Sequence, residues 1–309
     1  MAGNGTYALC MWLLFVLFSA VSWSLVSVLD SLLVANYEKH PLVLSWYQSL
    51  FSIVVLFLIC LFADTKTPWW PLLFAMGSFA YIGDLYFFWV LDTLDVSVTN
   101  GAWPILSVFL SIAGFLFFRE SWSFLQALAA VLIIGGVLFL SFHHPTGGSL
   151  KRTLCILTIL AVLYVPTYVV KKAALLAGIP VIAVFFWLLI GREAFSLVIP
   201  WCIPTSRRRI IGLIRKGLNV RFLLIGAAVI FSFFSGEFFG ALAFKGGPLS
   251  LVSVVSNIQP FIVIALAWLT AHLVPSHAPR ELISARSVYV KLVSFAVVFV
   301  GLALLALPQ

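Results

Sequence analysis

Solid runs of apolar residues recur from one end of the chain to the other, interrupted at short intervals by Pro, charged or small polar clusters. The runs do not alternate apolar and polar positions, as the strands of a membrane barrel would. Each is long enough to cross the ~30 Å of hydrocarbon in a bilayer as a helix. Within the bilayer core no water satisfies the backbone, so each run is predicted to close its own hydrogen bonds helically. Ten spans are predicted, at 8–34, 41–62, 69–91, 96–118, 122–142, 152–176, 179–201, 219–244, 248–274 and 287–308. Lys39-His40-Pro41, Asp64 to Pro68 and His143 to Ser149 mark three of the connections, and the longest, 204–220, is basic. The first run is too long for a signal-peptide core, and no Lys or Arg precedes Lys39. It is therefore expected to remain as the first span.

Composition agrees. The 309 residues are 63% hydrophobic and 9% charged, with a mean hydropathy of +1.16, too few charges to cover a soluble domain. The fold class expected is all-α integral membrane protein, as one membrane domain. A net charge of +8 raises nucleic acid as a partner, but the basic residues fall in short connections, where lipid head groups explain them better. Cys10, Cys60, Cys155 and Cys202 are far apart, without a CxxC or a neighbouring His, so neither disulfides nor a metal site are expected. The five histidines lie in connections or near span ends and form no metal signature. No nucleophile motif, phosphate loop or ATP-binding segment occurs, so no catalytic residue and no cofactor are expected.

The chain also repeats itself weakly. Val96 to Pro104 aligns without gaps to Val252 to Pro260, Gly83-Asp84 matches Gly236-Glu237, and Ala20-Val21 with Trp23 and Asp30 matches Ala161-Val162 with Tyr164 and Lys171. The matches keep their order, so a duplication is predicted, with units at 1–150 and 151–309. Five spans per unit make the second enter the membrane in the opposite sense.

With these residues in view, the chain resembles the EamA-type ten-helix carriers of the drug/metabolite transporter superfamily. The resemblance rests on Thr99-Asn100-Gly101-Ala102-Trp103-Pro104, Arg119-Glu120 and Leu125 to Leu140 with Gly135-Gly136-Val137, and more faintly on Pro260, Arg280-Glu281 and Gly301. The Asn-x-x-Trp-Pro run is similar to the bacterial aromatic amino-acid exporter branch. Asp30 and Gln48 stand where many members carry Lys and Arg, whereas Lys171 keeps the helix 6 equivalent. The resemblance implies a multi-pass protein of a bacterial inner membrane rather than of an organelle, moving a small-molecule substrate with protons as a coupling ion. It also implies cytoplasmic termini. The positive-inside rule points the other way, because the side of the termini carries five basic residues and the opposite side twelve, six of them within 207–221.

Ionisable groups inside a membrane are costly, so each one is a functional candidate. Asp84 and Glu237 share a repeat position, and as unpaired carboxylates they would serve proton coupling or recognition of a cation. Ser19, Trp23, Ser27 and Asp30 form a stripe on one face of the first span, and Tyr164 and Lys171 occupy the matching face of the sixth. Asp30 and Lys171 would then either pair, bind the two ends of a zwitterion, or lie near opposite membrane faces. Asn100, Trp103 and Ser107 form a further stripe. Pro104 and Pro260 cannot donate to the carbonyls of Asn100 and Ser256, so kinks are predicted that place Asn100 and Gln259 at a cavity wall. Spans 1, 3, 4, 6, 8 and 9 are expected to line that cavity. Arg192-Glu193 is read as a local ion pair or an interfacial feature.

These expectations make a secondary exporter of amino acids or related metabolites the leading reading. An exchange carrier for a cation or a nucleotide-linked sugar is the second, and a membrane enzyme or scaffold the alternative of another class.

Overall fold

A computed structural model of the chain describes residues 3–94, 96–142, 150–216, 219–273 and 285–306. Among these residues there is no strand. The helices are α1 (Gly3–Asn36), α2 (Pro41–Phe62), α3 (Trp70–Thr93), α4 (Val96–Thr99), α5 (Ala102–Phe118), α6 (Phe124–Phe142) and α7 (Leu150–Leu176). They continue with α8 (Val181–Cys202), α9 (Pro204–Lys216), α10 (Val220–Gly246), α11 (Leu249–Val255), α12 (Gln259–Leu273) and α13 (Ala285–Ala306). Among the described residues, seven stretches are long and apolar enough to cross a membrane, with shorter apolar helices at 102–118 and 124–136. The chain is a multi-pass integral membrane protein. Large apolar side chains such as Phe57, Phe115 and Phe231 are well exposed, as lipid-facing residues are, and so are Cys60, Cys155 and Cys202. The predicted connection His143 to Ser149 and the Arg280-Glu281 pair lie outside the described residues.

Two predicted spans are broken rather than merely bent. The fourth is divided into α4 and α5 around Asn100-Gly101, and the ninth into α11 and α12 by a 3₁₀ turn, Ser256–Ile258. Pro104 and Pro260 each follow their break closely. The carbonyls they leave unserved are taken by tighter backbone bonds: Trp103 N–H donates to Asn100 O at 3.3 Å, and Gln259 N–H donates to Ser256 O. Each carbonyl therefore has a backbone partner. The basic connection 204–220 holds α9, a helix the apolar pattern did not predict. Lys171 and Lys172 are buried side chains, not connection charges; Lys172 Nζ donates to the carbonyls of Phe244 and Gly247 at 2.7 and 2.8 Å, at the end of α10.

The helices pack in matched pairs. α1 lies antiparallel along α10, with Trp12 at Gly247 and Trp23 at Gly236, and α7 lies along α3. α1 meets α12 as α7 meets α5, and α2 meets α10 as α8 meets α3. α2 with α8, α5 with α11 and α6 with α13 complete the set. Exchanging α1 with α7, α2 with α8, α3 with α10, α4–α5 with α11–α12 and α6 with α13 maps these pairs onto one another.

Close approach depends on small residues, because lipid offers no hydrophobic force between helices. Gly236 and Gly240, spaced for it, receive Trp23 and Ser19 of α1. The tightest point is α3 on α8, where a Cβ on Gly77 would stand 1.9 Å from Leu188 O and one on Gly191 2.1 Å from Phe74 O. Gly77→Ala should destabilise the protein by about 1–3 kcal/mol, read as a lower melting temperature in detergent. Gly135→Ala, with nothing within 4 Å of the new carbon, should leave that temperature unchanged.

Candidate functional site

A cavity of about 120 Å³ sits among α1, α3, α5, α7, α8, α10 and the α11–α12 break. Its walls come from the middle of α1, the first two-thirds of α3 and the second half of α7 and α10. Consecutive spans run in opposite directions, so the cavity reaches from the middle of the bundle toward the side on which α1 begins.

Four charged side chains line it: Asp84, Lys171, Arg192 and Glu237. Asp84, on α3, accepts from Arg192 Nε and, at 2.7 Å, from the Tyr164 hydroxyl of α7. Glu237, on α10, accepts from Lys171 Nζ at 2.5 Å. Two turns of α7 separate Tyr164 from Lys171, so one helix face serves both carboxylates. The Arg192 guanidinium also stacks on Phe233 at 4.0 Å, and Lys171 Nζ lies 4.9 Å from the Tyr168 ring centre. All four charged side chains are at most 15% exposed. Trp23, Trp103, Tyr164, Tyr168 and Phe233 supply aromatic wall, with Trp103 and Tyr164 rings 5.7 Å apart.

Asp84 and Glu237 are thus in the cavity, but neither is the unpaired carboxylate expected. Asp30 and Lys171 do not pair, and both are buried. Lys171 belongs to Glu237, while Asp30 lies buried below the cavity and accepts from Gln48 Nε2 at 2.6 Å. Arg192 makes more than the local ion pair expected of it. Its Nη1 does stand 3.5 Å from Glu193 Oε1, yet its Nε reaches into the cavity and adds α8 to the predicted lining helices. Glu193 points the other way, accepting from Ser49 Oγ of α2 at 2.5 Å.

Gln259 reaches the cavity wall, and Asn100 stands directly behind it. Asn100 Oδ1 accepts from Gln259 Nε2 at 3.0 Å and from Trp103 Nε1 at 2.9 Å, with Ser27 Oγ at 3.4 Å. Ser107 Oγ donates to Ser253 O at 2.8 Å and Asn257 Nδ2 donates to Ser107 Oγ at 3.0 Å. The two broken spans are therefore tied together at their breaks by side-chain amides and hydroxyls. A break held in this way presents polar groups at fixed positions without leaving backbone unsatisfied. Beyond this layer the opposite half is packed shut, and Lys39–Asp92 (3.5 Å) and Arg209–Glu38 (3.2 Å) cross-link its surface connections. Among the described residues no group of His, Cys, Asp and Glu suits a metal ion.

Residues 10–142 match the EamA-like transporter family. No curated protein matches the chain in sequence. Among solved structures, a crystal structure titled only as that of a protein is 15% identical over 96% of this chain and 95% of its own, with a TM-score of 0.62, a likeness of fold.

Proposed function

We propose that this chain, whose residues 10–142 match the EamA-like transporter family, is a secondary carrier of a small amphoteric solute such as an amino acid. The observation that carries the proposal is the charge balance of the cavity: two carboxylates and two cations, each paired across helices. An unneutralised charge in a low-dielectric site is expensive. A solute of zero net charge enters such a site without leaving an excess of either sign. Its carboxylate can meet Arg192 or Lys171, and its ammonium can meet Asp84 or Glu237. A lone organic cation would leave one positive charge over, and an anionic nucleotide-linked sugar would leave an excess of negative charge. The aromatic walls favour a solute with an apolar or aromatic side chain.

The exchange of matched helix contacts supports two antiparallel five-span units, 1–150 and 151–309, that rock about the site to give alternating access. Export from a bacterial cell across its inner membrane is the direction and location we assign. Proton antiport through Asp84 and Glu237 then requires their salt bridges to open during the cycle, with a substrate amine or a proton replacing the paired cation. Flux into proteoliposomes tests the proposal, using labelled amino acids, quaternary ammonium ions and nucleotide sugars, with and without a pH gradient. Saturable movement of amino acids alone, faster with the gradient, is expected. Movement of either other class in preference to amino acids overturns the substrate assignment.

A further inference from the structure

We propose that α9 is an interfacial helix that binds anionic phospholipid head groups in the leaflet at the end of the molecule opposite the cavity. The helix joins α8, which ends at Cys202, to α10, which begins at Val220. Its 13 residues extend only about 20 Å, less than the hydrocarbon thickness, so it lies at the membrane face rather than across it. One side is fixed to the protein: Ser206 and Ile210 are fully buried, Leu213 packs against the same core, and the helix rests on α8 and α2. The opposite side carries Arg208 and Arg215, both exposed and two turns apart on one face. Between these sides runs a stripe of Arg207, Ile211 and Ile214, and Ile214 is half exposed with no protein apolar surface covering it. Exposed Val220 and Leu224 follow at the start of α10 and carry the apolar surface into the bilayer.

An apolar flank beside arginines at the boundary of the hydrocarbon is the arrangement by which surface helices sit in the head-group layer. Phosphate esters are the anions abundant at that depth, and each arginine offers them a planar pair of donors. Arg209 is engaged differently, with Glu38 of the α1–α2 turn. Head groups held by α9 therefore lie one residue from a contact that cross-links the closed end of the carrier.

Titration of the purified full chain with short-chain phosphatidylglycerol and phosphatidylcholine, followed by native mass spectrometry, tests the proposal. Phosphatidylglycerol should bind more tightly. Its apparent affinity should fall roughly fivefold for each of Arg207→Gln, Arg208→Gln and Arg215→Gln, while Lys151→Gln with Arg152→Gln has a smaller effect. Single variants suffice if the triple variant is unstable. Equal affinity for the two lipids, unchanged affinity in the arginine variants, an equal loss in the Lys151/Arg152 variant, or full displacement by millimolar inorganic phosphate would each overturn it.

Discussion

Arg192→Gln should lower the rate of solute transport by roughly 10–100-fold, the worth of a hydrogen bond to a charged group. The guanidinium lines the cavity and its planar fork matches a carboxylate, so it is the natural seat for a substrate carboxylate. Removing it also strands Asp84, and breaking one side of a buried ion pair costs about 3–5 kcal/mol. Loss of stability and loss of transport must therefore be separated. Arg192→Gln combined with Asp84→Asn removes both members of that pair and should recover part of the melting temperature, Glu193 still lacking its contact with Nη1. It should not recover transport. Arg192→Lys keeps the charge but loses the planar fork, and should fall between the wild type and Arg192→Gln. If the double variant transports normally, Arg192 is a structural partner of Asp84 and the carboxylate site lies elsewhere.

The second large effect is expected at Lys171 and Glu237. Their side chains are 4% and 15% exposed, so Glu237→Gln leaves a nearly buried ammonium without its partner. That variant should be destabilised by about 3 kcal/mol or more. Replacing both residues by Met removes the two desolvation costs together and should be close to neutral, since apolar substitutes for a buried pair are often tolerated. Amphoteric transport in the double Met variant should nevertheless drop more than tenfold, because only one pair then remains to face a zwitterion. Melting curves in detergent and uptake by proteoliposomes give the two readouts. A stable double Met variant with unchanged uptake would reduce this pair to a packing device.

The helices were legible because the membrane allows few alternatives: a solid apolar run of sufficient length must be helical. The disturbed sites were legible too, as kinks, since Pro104 and Pro260 each remove a donor whatever the packing; the full breaks were not. Nor was what closes them. The carbonyls of Asn100 and Ser256 shift to an amide one residue nearer, and local sequence does not announce that change. Asp84, Glu237, Tyr164 and Lys171 stood out as polar residues in apolar surroundings, but their partners lie on other helices and depend on rotation and depth. Arg192 was discounted because Glu193 is its neighbour in sequence. Adjacent residues on a helix face different directions, and that geometry was the available signal that the two serve different sites. α9 was hidden by its arginines; reading Ser206, Ile210 and Leu213 at helical spacing would have found its buried face.

The most direct test of the account is a binding measurement. Trp23 and Trp103 line the cavity, so ligand entry should perturb their fluorescence in detergent-solubilised protein. Each of the common amino acids is titrated alongside its methyl ester, which lacks the carboxylate, and its N-acetyl derivative, which lacks the ammonium. The account predicts saturable quenching by at least one amino acid, with both derivatives weaker by roughly tenfold or more, the value of one charged hydrogen bond. It also predicts that the preference disappears in the Arg192→Gln/Asp84→Asn variant. Binding of the ester or the acetylated form as tightly as the free amino acid would contradict an amphoteric site built from two opposed ion pairs.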